Sequence, residues 1–163
     1  MSHIVVVGAI GLLRSKIAEA VLIQEHEAVL VTRARTAINE AQLDHFSASG
    51  AEIAFASVTD LHAMTEVLKG ADVVVCAVAG EVDAIRSIEY PLLEAAKAAA
   101  VKRFIPNEFG LDTLRLPMGT GAIFDEKKKF QQAIKAVPYP TQSFSTAASL
   151  TTSCLISGRS QPS

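Results

Sequence analysis

The amino-terminal stretch constrains the fold of this chain more than any other, because an apolar run passes there into a glycine loop and then into helix-forming residues. Residues 4–7 form an unbroken β-branched run without polar alternation, which is typical of a parallel strand covered on both faces. Gly8 and Gly11 follow it. Glycine has no Cβ, so the main chain can approach a phosphate closely, and a helix from about Leu12 would point its free N–H groups at the same place. The pattern predicts the first turn of a dinucleotide-binding βαβ unit.

The rest of the chain continues the alternation of strands and helices. Further strands are predicted at 28–32, 51–56, 72–78 and 103–106, and helices over 37–46, 60–68, 81–100 and from about 123 onward. Pro91 lies inside the 81–100 helix and must kink it or split it in two. Because every crossover is long enough to carry a helix, the fold class is α/β, with a doubly wound parallel sheet in the order 3-2-1-4-5.

Composition limits the kinds of partner that the chain can have. A net charge of -2 and a pI near 6.1 argue against a nucleic-acid partner, which needs a concentrated basic face. Cys76 and Cys154 are too few for a disulfide framework or a metal site, so a reducing compartment is expected. The apolar run 73–79 is too short to cross a bilayer. Residues 4–13 form a second apolar stretch, for which a signal peptide is the alternative interpretation, but no basic residue precedes that stretch. We therefore expect a soluble, cytoplasmic protein.

The end of the second strand carries a clue to the cofactor. In this architecture an acidic residue at that point selects the ribose 2′-hydroxyl of NADH, whereas an arginine accommodates the 2′-phosphate of NADPH. The acid is missing here and Arg33 is present. The sequence therefore favours NADPH, and the alternative is an exposed arginine without a ligand.

Several segments together resemble a known family. They are, in order, VVVGAIGLL, VLVTR with Arg33, LKGADVVVCAVAG, LLEAAKAAAVKRFIPNEFG and FDEKKKFQQAIKAVPY. Over about residues 2–139 the chain is similar to the isoflavone-reductase-like and NmrA-like group of atypical short-chain dehydrogenases/reductases, and NEFG is the most specific segment. The resemblance implies an NADPH-binding Rossmann-type fold. It also implies either a reductase of small phenolic or other secondary metabolites, or a protein that only senses nicotinamide nucleotides.

The resemblance and the glycine loop together outline a site at the carboxyl edge of the sheet. The expected cofactor-binding residues are Gly8, Ala9, Ile10, Gly11, Leu12, Leu13, Arg14, Arg33, Ala77, Val78, Asn107, Glu108 and Phe109. By resemblance, the general acid/base lysine of the reductases maps onto Lys127. For residues 107–109 the alternative is a loop corner with Glu108 in solvent, and for residues 77–78 it is a tightly packed core.

Lys127 also stands out on helical geometry alone. On a wheel of about 100° per residue it shares an apolar stripe, whereas Lys128 and Lys129 lie roughly 100° and 160° away, so one lysine of the three is expected to face inward. Desolvation on such a stripe lowers the pKa of a lysine toward the range useful for proton transfer. The alternatives are a snorkelling lysine whose amine reaches water, or a solvated face paired by Asp125 and Lys129. The apolar neighbours on the stripe are Ile123, Phe124, Phe130 and Ile134.

Three departures from the family pattern bear on function. Arg14 stands where a third glycine is usual, and Ser57 stands where an acidic residue is common. Residues 141–163 contain eleven Ser or Thr, no acid and one base, a composition typical of a poorly ordered tail. Family reductases are about twice as long, so we expect a truncated product with a domain over 1–139, a tail over 140–163 and most of the substrate lobe missing.

Three functions follow as hypotheses. The first is an NADPH-dependent reductase of a small aromatic or conjugated substrate, with Lys127 moving the proton. The second is a non-catalytic dinucleotide-sensing regulator with a protein partner, and the chain could also pair with itself. The third is an inactive remnant that associates along an exposed sheet edge.

Overall fold

The computed structural model describes residues 1–8, 12–78, 80–108 and 112–137, and for residues 12–14 the backbone alone. The expectations for Ala9, Ile10, Gly11, Phe109 and the 140–163 tail lie outside these residues, as do those for the side chains of residues 12–14. The described strands form one parallel five-stranded sheet in the order β3-β2-β1-β4-β5, which confirms the prediction. The strands are β1 His3–Val7, β2 Glu27–Thr32, β3 Glu52–Phe55, β4 Val73–Cys76 and β5 Arg103–Ile105.

Helices occupy the crossovers between these strands. They are α1 Leu12–Ile23, α2 Glu40–Ala48, α3 Leu61–Leu68, α4 Val82–Ala84, α5 Tyr90–Ala98 and α6 Ala122–Lys135, with a π turn at Ile85–Glu89 and a 3-10 turn at Thr113–Arg115. Thr59 and Asp60 both suit the cap of α3 by residue type and position, and Asp60 is the cap, because its carboxylate accepts the amide of Ala63 at 2.9 Å. Helix α2 begins three residues later than predicted, since the side chain of Asn39 holds the preceding segment as a turn through Thr36 N and Ala34 O.

The sheet is covered on both faces, as the β-branched runs predict. Alternate residues of a strand point to opposite faces. Val5 and Val7 pack into one apolar cluster with α3, α5 and α6, whereas Ile4 and Val6 pack into another with α1 and α2. The register sets Val7 beside Val31 of β2 and Cys76 of β4, so the carboxyl ends of three strands are level.

The helical segment between β4 and β5 changes its hydrogen-bond pattern halfway. The amide of Tyr90 donates to the carbonyl of Ile85, five residues back, which is the π pattern. Pro91 follows and has no N–H, so the wider π turn allows the helix to continue without the bond that proline cannot make. The interruption predicted at Pro91 takes the form of this π turn.

Within the described ranges, no helix has both the length and the apolar character that a bilayer span requires.

Candidate functional site

Position 8 requires a glycine, because of its backbone conformation and the atoms that surround it. Its φ is +86°, a left-handed conformation that side-chain-bearing residues rarely adopt, and its amide donates to Val31 O at 3.2 Å. A Cβ on Gly8 would lie 2.8 Å from Val78 Cγ2 and 3.2 Å from the carbonyl oxygen of Ala77. The main chain therefore turns at the end of β1 in a space too narrow for any side chain.

The predicted residues at the end of β4 lie against this turn. The amide of Ala77 donates to Val7 O at 2.9 Å, which continues the pairing of β1 and β4 by one residue. Ala77 is buried and Val78 is half-buried. Since β1 and β4 meet at the point where the strand order reverses, these residues line the crevice that open α/β sheets use for ligands.

Asn107 connects three elements at the same edge. The chain turns tightly around it after β5, because Glu108 N donates to Pro106 O at 2.8 Å. The side-chain amide of Asn107 donates to the carbonyl of Val78 after β4. Its main-chain amide donates to Glu89 Oε2 at 3.3 Å, and its carbonyl accepts from Lys127. Three polar groups of this residue are thus bonded to three different segments.

Lys127 points inward to this edge. Its Nζ donates to Asn107 O at 2.5 Å and lies 3.7 Å from Glu108 Oε2, and its side chain is 16% exposed. The ammonium is thus bonded to the protein, which argues against the alternative of a snorkelling amine. The alternative of a solvated Asp125–Lys129 pair is wrong, because Asp125 accepts the amide of Gly119 and Lys129 lies 3.9 Å from Glu126.

The expectation that one lysine of the three faces inward needs correction. Lys128 is buried as well, and its Nζ donates to the carbonyl of Leu116. The loop around Leu116 covers that side of α6. A helical wheel describes one helix and takes no account of a loop folded over a second face, so the pattern could not reveal this contact.

Glu108 is buried, at 3% exposed, so the alternative that placed it in solvent is wrong. Its Oε2 accepts from the hydroxyl of Thr113 at 3.3 Å, and that hydroxyl accepts from Gln131 Nε2 at 3.2 Å. A buried carboxylate needs such donors and a nearby positive charge, here the ammonium of Lys127. The 3-10 turn that brings Thr113 to Glu108 was not foreseen from the sequence.

Glu89 is the residue of this site that sequence reasoning missed. It closes the π turn, is 3% exposed and accepts the amide of Asn107. Burial raises the pKa of Glu89 from 4.5 to about 7, against the bond from Asn107 and the charge of Lys127, which lower it. The sequence contained a signal, because Ile85, Glu89 and Leu92 recur at helical spacing and place one carboxylate on an apolar stripe.

Arg33 follows β2 directly and is exposed. The next turn is fixed by the buried Asn39, and a second arginine in it, Arg35, pairs with Asp44. Among the residues that the structure describes, no carboxylate pairs with Arg33. A role for its guanidinium toward a 2′-phosphate stays a prediction.

Comparison with known proteins settles the family. A model of the NmrA-like family matches residues 1–155. The chain belongs to the NmrA-like family. This NmrA-like chain is 32% identical over 151 residues to phenylcoumaran benzylic ether reductase PT1 of Pinus taeda, across 85% of this chain and 47% of that protein. It is 36% identical over 149 residues to pinoresinol reductase 1 of Arabidopsis thaliana, again across 85% of the chain and 47% of the relative.

Solved structures give the same result for the fold. AtPrR2 with NADP+ and (+)-pinoresinol matches with a TM-score of 0.75 and 33% identity, over 86% of this chain and 48% of that one. The binary complex of leucoanthocyanidin reductase and NADPH from Vitis vinifera matches with a TM-score of 0.77 and 26% identity, over the same shares. These likenesses confirm the predicted resemblance and the Rossmann-type fold. The NmrA-like chain spans about half the length of the curated relatives it matches.

Proposed function

We propose that this NmrA-like chain binds NADPH along the carboxyl edge of its sheet and reduces a small aromatic or conjugated metabolite, with Lys127 as the general acid/base. The observation that carries the proposal is the position of the Lys127 ammonium. It lies at the edge where Gly8, Val78 and Asn107 come together, held by the carbonyl of Asn107.

The residues present fit a dinucleotide. Gly8 has a φ of +86° in the turn between β1 and α1, the conformation for which a glycine is suited in the phosphate-binding turn of a dinucleotide site. Helix α1 begins at Leu12 and directs its amino-terminal dipole to the same edge. The planar guanidinium of Arg33 would bind a 2′-phosphate through two parallel hydrogen bonds. When bound, NADPH would supply the hydride.

Lys127 is suited to handle the accompanying proton. An ammonium has three N–H donors, and one of them is used by Asn107 O. Glu108, at 3.7 Å, balances its charge in surroundings with little water. Within the part of the chain that the structure describes, no second hydrogen bond uses this ammonium, and its other donors would meet an oxygen of the substrate, to which Lys127 would give a proton or from which it would accept one.

The substrate class rests on the relatives. Their names describe reductases of benzylic ethers and of pinoresinol, which are aromatic compounds. Since the chain spans about half the length of those proteins, a small aromatic or conjugated substrate is part of the proposal and its identity is left open.

A dinucleotide-sensing regulator is the second candidate. It is favoured by the NmrA-like family match, and a sensor needs the cofactor edge but no proton donor. The two candidates differ in whether Lys127 matters, because a sensor would bind the dinucleotide equally well without it.

The deciding experiment is calorimetric titration of the whole chain with NADPH and with NADH, followed by measurement of NADPH oxidation with a panel of phenols and enones. We expect NADPH to bind more tightly than NADH and to be oxidised with at least one compound of the panel. Binding of NADPH without its oxidation would favour the sensor. If neither NADPH nor NADH bound, both candidates would be excluded.

A further inference from the structure

Among the described residues, the buried carboxylate of Glu89 has one hydrogen bond to the site. Its Oε2 accepts the main-chain amide of Asn107 at 3.3 Å, and the carbonyl of the same residue accepts from Lys127 Nζ. The two contacts lie on either side of one residue in a tight turn. Any movement of the Asn107 amide away from Glu89 would therefore also move the carbonyl that holds Lys127.

The Asn107 turn has few other restraints. Its side chain is bonded to the carbonyl of Val78, and the turn itself is closed by the bond from Glu108 N to Pro106 O. The bond from Glu108 N holds the carbonyl of the peptide that joins Pro106 to Asn107, and the bond to Glu89 holds the amide of the same peptide. Glu89 lies at the end of a π turn, a helix irregularity found often at functional sites.

We infer that Glu89 is a positioning residue, which sets the place of the Lys127 ammonium by holding the amide of Asn107. The inference rests on the proposed role of Lys127 as the proton carrier. Among the described residues Glu89 has no hydrogen bond to Lys127, so apart from the interaction of their charges it acts on Lys127 through the Asn107 turn.

The strength of the hydrogen bond from the Asn107 amide to Glu89 depends on the charge of Glu89. Burial, together with the charge of Glu108, raises the pKa of this carboxyl to about 7. The hydrogen bond from the Asn107 amide and the charge of Lys127 act in the opposite direction and lower it. Tyr90, next in the chain, also interacts with its charge. A hydrogen bond to an ionised acceptor is roughly twice as strong as one to a neutral acceptor. The Asn107 turn is therefore held more firmly above neutral pH than below it.

The sequence allows the hydrogen bond between the Asn107 amide and Glu89 to be followed directly. Asn39 and Asn107 are the two asparagines of the 163-residue chain, so selective ¹⁵N-asparagine labelling gives two main-chain amide resonances. The amide of Asn39 donates to the carbonyl of Thr36 and serves as the internal control. We expect the Asn107 amide proton to move downfield through a midpoint near pH 7 in the wild type, while Asn39 stays in place.

Glu89→Gln keeps an acceptor for the amide and removes the ionisation. In this variant we expect the Asn107 titration to vanish, whereas Glu94→Gln, which alters an exposed glutamate of α5 paired with Lys97, should leave it intact. An Asn107 resonance that titrates as before in Glu89→Gln, or that does not titrate in the wild type, would overturn the inference.

The effect on Lys127 is measured by competitive acylation, with the exposed Lys129 as the internal reference. At alkaline pH we expect Glu89→Asp, which keeps the negative charge but shortens its reach to the Asn107 amide, to raise the labelling of Lys127 relative to Lys129 several-fold, and an unchanged ratio would overturn the positioning role. Neither readout requires turnover. A proposed function that fails would instead appear as absent NADPH binding or as turnover unaffected by loss of Lys127, so the two failures are distinguishable.

Discussion

The ammonium of Lys127 donates to the main-chain carbonyl of Asn107 and thereby joins α6 to the turn after β5. The contact brings the proposed proton carrier to the edge where β1, β4 and β5 end. It also explains why a lysine is tolerated at a position only 16% exposed, because a carbonyl and the Glu108 carboxylate replace the water that its amine would otherwise bind. The following predictions test what this arrangement does.

Lys127→Met should abolish turnover and leave the affinity for NADPH nearly unchanged. Methionine preserves much of the apolar stem but cannot transfer a proton, and general acid/base catalysis is typically worth about 10²- to 10⁴-fold in rate. Steady-state NADPH oxidation and calorimetric titration measure the two quantities. Lys129→Met is the matched control, since Lys129 lies on the same helix with a side chain 56% exposed, and equal losses in both variants would refute the assignment.

Arg33→Ala should reduce the preference for NADPH over NADH. The guanidinium is expected to pair with the 2′-phosphate that NADPH has and NADH lacks, and a hydrogen bond to a charged group is worth about 1.5–3 kcal/mol. The ratio of the two dissociation constants is the measurement. Arg35→Ala is the control, because Arg35 is paired with Asp44. A preference that survives in Arg33→Ala would show that the 2′-phosphate is bound elsewhere.

Gly8→Ala should destabilise the fold by about 2–5 kcal/mol. A left-handed φ costs a residue with a Cβ about 1–2 kcal/mol, and overpacking adds about 1–3 kcal/mol. The new methyl group would meet Val78 and the rigid carbonyl of Ala77. Gly70→Ala is the control, because Gly70 also has a positive φ, of +77°, but no atom within 4 Å of the added Cβ. Urea denaturation should show a clearly smaller loss for Gly70→Ala, and equal losses would contradict the steric argument.

Glu89→Gln should change the pH dependence of stability. The pKa of Glu89 is raised on folding from 4.5 to about 7, so its contribution is fully present below pH 4.5 and is lost as the pH rises through about 7. At about 1.4 kcal/mol per unit, the shift corresponds to roughly 3 kcal/mol. The free energy of unfolding of the variant minus that of the wild type should therefore increase by up to this amount as the pH rises from about 5 to about 8.

The control for this prediction is Glu94→Gln, which removes an exposed carboxylate from α5. Its difference from the wild type should be nearly the same at both pH values. Urea denaturation at each pH gives the free energies. If Glu89→Gln differed from the wild type by the same amount at both, its carboxyl would not be the group that burial perturbs.

Much of the scaffold could be predicted because it depends on local pattern. The β-branched run of β1 predicted a strand buried on both faces, and the length of the crossovers predicted a parallel sheet in its observed order. Residue type and position narrowed the cap of α3 to Thr59 or Asp60, and the structure has Asp60. Lys127 was assigned to an inward face because helical periodicity reports the stripe on which a residue lies.

The sequence by itself thus determined the order of strands and helices, the need for glycine at the first turn and the inward direction of Lys127. The tertiary structure decided which residues bond to these groups and which segments bury them. Asn107 is bonded to residues 18, 20 and 29 positions away, and the burial of Glu89, Glu108 and Lys128 depends on segments folded over them. Periodicity records the faces of one element, whereas desolvation and pairing of a charge depend on which distant segment covers that face, and this is fixed only when the elements pack.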